Sequence, residues 1–209
     1  MSWRIAAFAG GLAALWIAVA SPVSHLDHHL LTAHMAQHLL IMLVAAPLVL
    51  LGVNSSLRLH WRPNLVISWL AGTLTVIIWH VPAIFELALR SSFWHAFEHA
   101  SFFLAGIMFW WPVVHSGFET QSWSLPIYLF LATLPCDALS AFLAFCGHVV
   151  YPQYSSGHQH FGLSPLDDQA LAGALMWVTV TFAYLIPALV LTARLQSDEL
   201  RHAARMLVS

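Results

Sequence analysis

Residues 30–51 read LLTAHMAQHLLIMLVAAPLVLL, an apolar run without a charged side chain. A helix needs about 20 apolar residues to cross the hydrocarbon core of a membrane, so this run is long enough to span it. Of the 209 residues in the chain, 60% are hydrophobic and only 8% are charged, which is too little charge to cover a soluble surface. The sequence therefore predicts an integral membrane protein.

The same length rule divides the rest of the sequence into apolar segments separated by polar, proline-containing or glycine-containing connections. We expect an all-α fold, a polytopic transmembrane helical bundle of about six spanning helices that forms a single integral membrane domain over residues 1–209. The first segment also resembles a cleavable signal peptide, because Arg4 and an apolar run precede Ala18-Val19-Ala20, but a retained helix is the preferred interpretation. The predicted spans are residues 3–20, 30–51, 65–81, 93–114, 123–150 and 170–191.

All seven basic residues are arginines, and their positions predict the orientation of the chain. Arg4 precedes the first span, Arg58 and Arg62 lie between the second and third, and three more arginines follow the last. The positive-inside rule then makes both termini cytoplasmic, and only Arg90 departs from this arrangement. We therefore expect a multi-pass protein of a bacterial cell membrane with cytoplasmic N- and C-termini. The arginines form no dense basic patch, so nucleic acid is not an expected partner.

Histidines are concentrated on one side of the predicted membrane. Imidazole costs free energy in hydrocarbon unless a partner satisfies it, so a one-sided layer of histidines suggests a metal or haem site. On the predicted topology, only His60, His115 and His202 face the cytoplasm. The other eleven of the fourteen histidines lie at the external face, namely His25, His28, His29, His34, His38, His80, His95, His99, His148, His158 and His160.

Two histidine pairs have the spacing of one helical turn. His34 and His38 are four residues apart, as are His95 and His99, and side chains at that separation project from the same helix face. From the rise per residue of a helix, His38 and His99 lie about 10 Å below the external surface, a level that His80 reaches from the end of the third span. The spacing therefore predicts ligation of a metal or haem by some combination of these five imidazoles.

Acidic side chains near these histidines leave several interpretations open. Glu98 adjoins His99 but points about 100° away on a helix, so an outer partner of the site, an interhelical partner and a ligand all remain open for it. Asp167 and Asp168 begin the last helix, and for one of them N-terminal capping and a role in the site are equally good interpretations. Asp137, deep in the fifth span, is either a proton-relay group or a structural one.

Sulfur-containing side chains also occur near these histidines. Met35 follows His34, and Met42 is one turn after His38. Thioethers are soft ligands, so methionine beside imidazole favours copper over zinc or magnesium. The two cysteines lie in the fifth span without a CxxC pattern, so neither a disulfide nor covalent haem attachment is expected. Inert buried thiols are the preferred interpretation of Cys136 and Cys146, and copper handling is the alternative.

Six short motifs occur in a defined order along most of the chain. They are HMAQH at residues 34–38, WHVP at 79–82, HAFEH at 95–99, FWWP at 109–112, DDQ at 167–169 and AGALMW at 172–177. Each motif alone is weak, but the ordered set is specific. Together they resemble the multi-spanning CtaG family, whose members are cytochrome c oxidase assembly factors.

The resemblance implies a membrane protein that assists the maturation of a haem-copper oxidase by supplying copper to the copper-B centre. It implies cytochrome c oxidase subunit I, an external or periplasmic copper chaperone and the lipid bilayer as partners, and a homo-oligomer stays open. It implies no enzyme activity, and the sequence places no serine or cysteine nucleophile in a recognisable setting. Carried over residue by residue, the implied metal-binding residues are His34, His38, His80, His95, His99, Asp167 and Asp168.

Two other functions remain open from the sequence. A haem-binding electron carrier would use two histidines facing each other across helices as axial ligands, and a Soret band would reveal it. A transporter coupled to metal ions or protons would need polar groups that continue toward the cytoplasm, where few occur, and uptake by sealed vesicles would reveal it. Copper is therefore the expected metal, and haem is the second candidate.

Overall fold

The computed structural model describes residues 2–53, 64–116, 123–155 and 162–206, and within these ranges all regular structure is helical. The prediction of an all-α helical bundle is therefore confirmed. The helices are α1 Ser2–Ala20, α2 Leu31–Leu39, α3 Ala46–Gly52, α4 Leu65–Trp79, α5 Pro82–Arg90, α6 Ser92–Ser116, α7 Ser124–Phe145 and α8 Pro165–Met206.

The number of spans agrees with the sequence prediction. Five described helices are long and apolar enough to cross a membrane, and the bent pair α4 and α5 makes a sixth if it is counted as one span. A π-helical segment, Leu40–Ala45, joins α2 to α3 within one continuous span. Its wider turns change the side-chain register in the middle of that span. The indole N–H of Trp110, on α6, donates a hydrogen bond of 3.0 Å to the Met42 carbonyl within this segment.

The boundaries of three spans differ from those predicted. The third predicted span, 65–81, is broken, because α4 ends at Trp79 and α5 leaves it at an angle of 77°. Pro82 causes this break, since proline disfavours helical backbone at the residue before it, and Val81 is extended. Helix α7 ends at Phe145, before Cys146 with its extended backbone, rather than at residue 150. Helix α8 continues beyond residue 191 to Met206 and includes a polar C-terminal part.

One end of the bundle is held together by hydrogen bonds between its connecting segments. The hydroxyl of Tyr151 donates to the carbonyl oxygen of His80 at 2.8 Å, and that of Tyr154 donates to the carbonyl oxygen of Asp27 at 2.7 Å. Asp27 belongs to a 3-10 helix, Pro22–His28, that follows α1. These bonds tie the segment after α7 to the end of α4 and to the connection between α1 and α2. We call this end of the bundle the histidine end.

The one-sided histidine layer is present within the described residues. Nine histidines lie at the histidine end, whereas His115 lies at the opposite end of α6. His60, His158 and His160 fall outside the described residues, as does the side chain of His202. The nine are His25, His28, His29, His34, His38, His80, His95, His99 and His148.

Helices α7 and α8 make the most extensive contact between described helices, and a small residue permits their close approach. A Cβ atom at Gly173 would lie 2.6 Å from the Ala144 backbone nitrogen and 2.8 Å from the Ser140 carbonyl oxygen. Glycine is therefore the residue that fits where these backbones meet. In the same helix pair, the Thr181 hydroxyl donates a 3.2 Å hydrogen bond to Asp137, which gives that carboxylate a structural partner.

Candidate metal centre

Glu98 lies at the centre of a buried cluster at the histidine end. Its side chain is fully buried, and its Oε1 atom is 3.5 Å from Nε2 of both His34 and His38. The two histidines come from successive turns of α2, so the spacing of four residues directs both rings to one point, as the sequence predicted. Ligand atoms of the three residues all lie within 4.8 Å of one another, which is close enough for one metal ion.

A second group of potential ligands adjoins the first. Asp27 Oδ2 is 3.3 Å from His95 Nε2, and both residues lie close enough to His34 for the three to hold an ion. His34 belongs to both groups, so the two are continuous. We call Asp27, His34, His38, His95, Glu98 and His99 together the carboxylate–histidine cluster.

His99 completes a set of four imidazoles around the two carboxylates. Its ring centroid is 4.3 Å from that of His95 and 5.7 Å from that of His38. The rings of His34 and His95 stack with centroids 5.7 Å apart. Four of the five predicted histidines therefore meet, from α2 on one side and α6 on the other.

The cluster contains many buried polar atoms that have no hydrogen-bond partner among the described residues. An unpaired atom of this kind costs roughly 1–3 kcal/mol, and more when it is charged. A cation bound between the rings and the carboxylates would satisfy these atoms at once, so the residues fit a metal ion. The unpartnered atoms are Nδ1 and Nε2 of His34 and of His38, Nε2 of His95 and of His99, both side-chain oxygens of Glu98, and Oδ1 of Asp27.

The start of α2 is fixed by a carboxylate from α8. Asp168 Oδ2 accepts from the Leu31 backbone N–H at 2.6 Å, and Oδ1 accepts from the Thr32 backbone N–H at 3.1 Å and from its hydroxyl at 2.6 Å. Such a cap satisfies donors that the first turn leaves unpaired, and it places His34 one turn inside the helix. Asp168 thus has the capping geometry that the sequence left open, although it caps α2 rather than its own helix.

Three predicted ligands lie outside the carboxylate–histidine cluster. Asp167 is exposed and bonds to Ser164 in the first turn of α8, while Asp168 caps α2. His80 is buried at the bend between α4 and α5, where its Nδ1 atom is 2.7 Å from the Val76 carbonyl oxygen. None of the three belongs to the two groups of convergent ligand atoms found in the described residues, and metal binding by them stays a prediction.

The sequence interpretation left the role of Glu98 open and missed the contribution of Asp27. Glu98 is three residues after His95 and therefore shares the helix face of that histidine. This spacing was the available signal. Asp27 had a weaker one, the sequence His25-Leu26-Asp27-His28-His29 directly before the second span.

A cleft of about 330 Å³ leads to the cluster from the histidine end. Asp27, His95 and His99 line its inner part, and His25, His28 and Arg90 line its outer part. His28 is largely exposed, and its Nε2 atom is 3.7 Å from Asp27 Oδ1. The cluster can therefore be reached through this cleft from the histidine end.

The fold and the cluster define a class, an integral membrane helical bundle with a buried carboxylate–histidine centre near one end. The family model of the cytochrome c oxidase caa3 assembly factor, Caa3_CtaG, matches residues 1–198, and the chain belongs to this family. The resemblance seen in the sequence motifs is thereby confirmed. Comparison with curated proteins and with solved structures gave no match.

Proposed function

We propose that this assembly factor binds copper in the carboxylate–histidine cluster and aids maturation of the copper-B centre of a haem-copper oxidase. The observation that carries the proposal is the set of unpartnered nitrogen and carboxylate oxygen atoms buried around Glu98. A structural core would satisfy these atoms with hydrogen bonds. A site that loads and releases an ion must instead present them free.

The donor set favours a divalent ion of the later first-row transition metals. Glu98 and Asp27 contribute two carboxylates, which would balance the charge of such an ion in a buried site. Imidazole suits copper and zinc, and copper(II) binds a given nitrogen and oxygen site more tightly than zinc. Membership of an oxidase assembly family supports copper as the cargo.

The position of the cluster suits delivery to another membrane protein. It lies one to two turns inside α2 and α6, below the end of the bundle, with the cleft above it. Copper-B belongs to oxidase subunit I within the membrane, so we expect that subunit to receive the ion and an external copper chaperone to load it through the cleft. This arrangement requires the histidine end to face outward, as the arginine positions predict.

A deletion strain tests this function when it is complemented with matched variants. Wild type and Glu86→Gln should restore copper in the purified oxidase, measured per haem, whereas Glu98→Gln should not. Glutamine keeps the size of Glu98 but removes the charge that would hold the ion. Glu86 is a suitable control because it is a partly exposed glutamate that pairs with Arg90 on α5 and belongs to neither group of convergent ligand atoms in the described residues.

The copper content of each variant, purified in detergent, shows whether the loss of oxidase maturation arises from a loss of copper binding by this protein. Glu98→Gln should contain less copper than Glu86→Gln while being recovered in the same amount from the membrane. Oxidase with full copper content in the deletion strain, or full copper binding by Glu98→Gln, would overturn the proposal.

A further inference from the structure

A second, sulfur-rich cavity lies beside the carboxylate–histidine cluster. It has a volume of about 30 Å³, which is enough room for an ion or a water molecule. Helices α2, α4, α7 and α8 and the π-helical segment contribute the potential ligands in its wall. We call it the sulfur cavity, and its potential ligands are Met35, His38, Met42, His80, Cys136 and Met176.

The orientation of His80 points to a cation in this cavity. Its Nδ1 atom lies 2.7 Å from the Val76 carbonyl oxygen, which has no proton to donate, so Nδ1 carries the hydrogen. In neutral imidazole, Nε2 then presents its lone pair, and it faces the Met35 sulfur at 3.2 Å. Two lone pairs directed at each other have no proton between them. A cation that both atoms coordinate would stabilise this arrangement, and a backbone carbonyl commonly orients ligating histidines in the same way.

The other potential ligands of the cavity are soft and uncharged as well. Met42 and Met176 add two thioethers, and Cys136 is a buried free cysteine. Three of the five methionines in the described residues therefore line one small cavity, while Met108 and Met206 do not. Packing alone has no need to gather sulfur beside an imidazole.

The two sites differ in the charge that they can hold. A divalent ion in an apolar cavity without carboxylates would be costly, whereas a soft monovalent ion loses less hydration and gains thioether and imidazole ligands. His38 belongs to the carboxylate–histidine cluster and also lines the sulfur cavity, so the sites share a wall.

We propose that the sulfur cavity is a second metal site, specific for a soft monovalent cation of the copper(I) class and built on Met35 and His80. This goes beyond the proposed delivery function, because it concerns ion binding by this chain alone and holds whether or not an oxidase receives the ion.

Copper(I) binding to the full chain in detergent, without oxygen, tests the second site. The variants are Met35→Leu and Met176→Leu, with Met108→Leu as the matched control on the same bundle. Leucine replaces methionine at nearly constant volume, so folding should be retained. The measurements are copper(I) affinity by competition with a chelator and sulfur scattering at the copper X-ray absorption edge. Silver(I) serves as a second probe that does not change oxidation state.

Wild type, Met108→Leu and Glu98→Gln should bind copper(I) with sulfur in the coordination shell. Met35→Leu and Met176→Leu should bind at least about 10-fold more weakly, the lower range seen when groups that support metal ligands are removed. Copper(I) with only nitrogen and oxygen neighbours in wild type would overturn the proposal. Equal affinity in Met35→Leu, Met176→Leu and Met108→Leu would overturn it as well. Glu98 does not line the sulfur cavity, so Glu98→Gln should keep the second site. Failure of the second-site proposal can therefore be told apart from failure of the delivery proposal.

Discussion

At the residue scale, two buried carboxylates of the histidine end differ in their hydrogen-bond partners. Glu98 and Asp168 are both 0% exposed. Asp168 accepts hydrogen bonds from Leu31 and Thr32, so its charge is stabilised by the start of α2. Within the described part of the chain, neither side-chain oxygen of Glu98 has such a hydrogen-bond donor. The two carboxylates are therefore equally buried and differ in their hydrogen bonds. Those hydrogen bonds identify Asp168 as a structural carboxylate, and their absence among the described residues makes Glu98 a candidate ligand.

Asp168→Asn should lower the stability of the protein without removing its metal. Asparagine keeps one acceptor but loses the charge and the second acceptor that hold the first turn of α2. We expect a loss of about 1–2 kcal/mol, as for other helix caps. Thermal unfolding in detergent measures the stability, and copper per chain measures the site.

Asp167→Asn is the matched control. Asp167 is next to Asp168, but its carboxylate is exposed and its hydrogen bonds join it to Ser164 at the start of α8. It should change stability less than Asp168→Asn. If Asp168→Asn lost copper while its unfolding temperature stayed at that of wild type, Asp168 would be a ligand and not a cap.

The histidines of the cluster could be predicted from the sequence, whereas Glu98 was one of several open interpretations and Asp27 was missed. A spacing of four residues fixes which side chains share a helix face, so the pairs at 34 and 38 and at 95 and 99 follow from local geometry. Which neighbouring helix meets that face depends on packing between distant segments. Glu98 became central only because α2 lies against α6, and Asp27 because the 3-10 helix folds back over both.

At the scale of elements, composition located the spans but not the irregularities within them. The break after Trp79 has a local cause, Pro82, yet the angle between α4 and α5 depends on how α5 packs. The π-helical segment Leu40–Ala45 has no composition that separates it from ordinary helix. Its position is accompanied by the contact between Trp110 and the Met42 carbonyl, which joins residues far apart in sequence.

Gly173→Ala should destabilise the contact between α7 and α8. The added methyl group would lie under 3 Å from the backbone of α7, so the helices must separate. Overpacking of this kind typically costs about 1–3 kcal/mol.

Gly10→Ala is the matched control, since the nearest atom to its Cβ would be 3.7 Å away. It should leave stability unchanged or raise it by up to about 1 kcal/mol, the helix preference of alanine over glycine. Thermal unfolding of both variants in the same detergent decides, and equal effects would show that α7 and α8 are not closely packed there.

At the scale of the whole molecule, alternating helix directions bring the histidines together. The ends of α1, α4 and α7 and the starts of α2, α6 and α8 share one end of the bundle. The sequence predicted this arrangement because successive spans must alternate in direction. The side of the membrane that this end faces rests on the arginine positions alone.

Cysteine labelling in intact cells tests the predicted orientation. In a background of Cys136→Ala and Cys146→Ser, Ser155→Cys at the histidine end should react with an impermeant maleimide. Leu200→Cys, about 50 Å along α8 from its start, should react only after the membrane is opened. Both positions are exposed, so access alone decides the outcome. The reverse pattern would place the histidine end in the cytoplasm and contradict loading by an external chaperone.

The break in the third span also affects the lipid around the protein. Helix α4 has 15 residues, a length of about 22 Å, whereas the hydrocarbon core of a bilayer is about 30 Å thick. Helix α5 adds little to this height because it turns away by 77°. A hydrophobic segment that is too short is accommodated by local thinning of the bilayer. We therefore expect the bilayer to be locally thinner beside α4. The lipid headgroups would lie closer to His80 there, and less hydrocarbon would separate His80 from water than at other positions around the bundle.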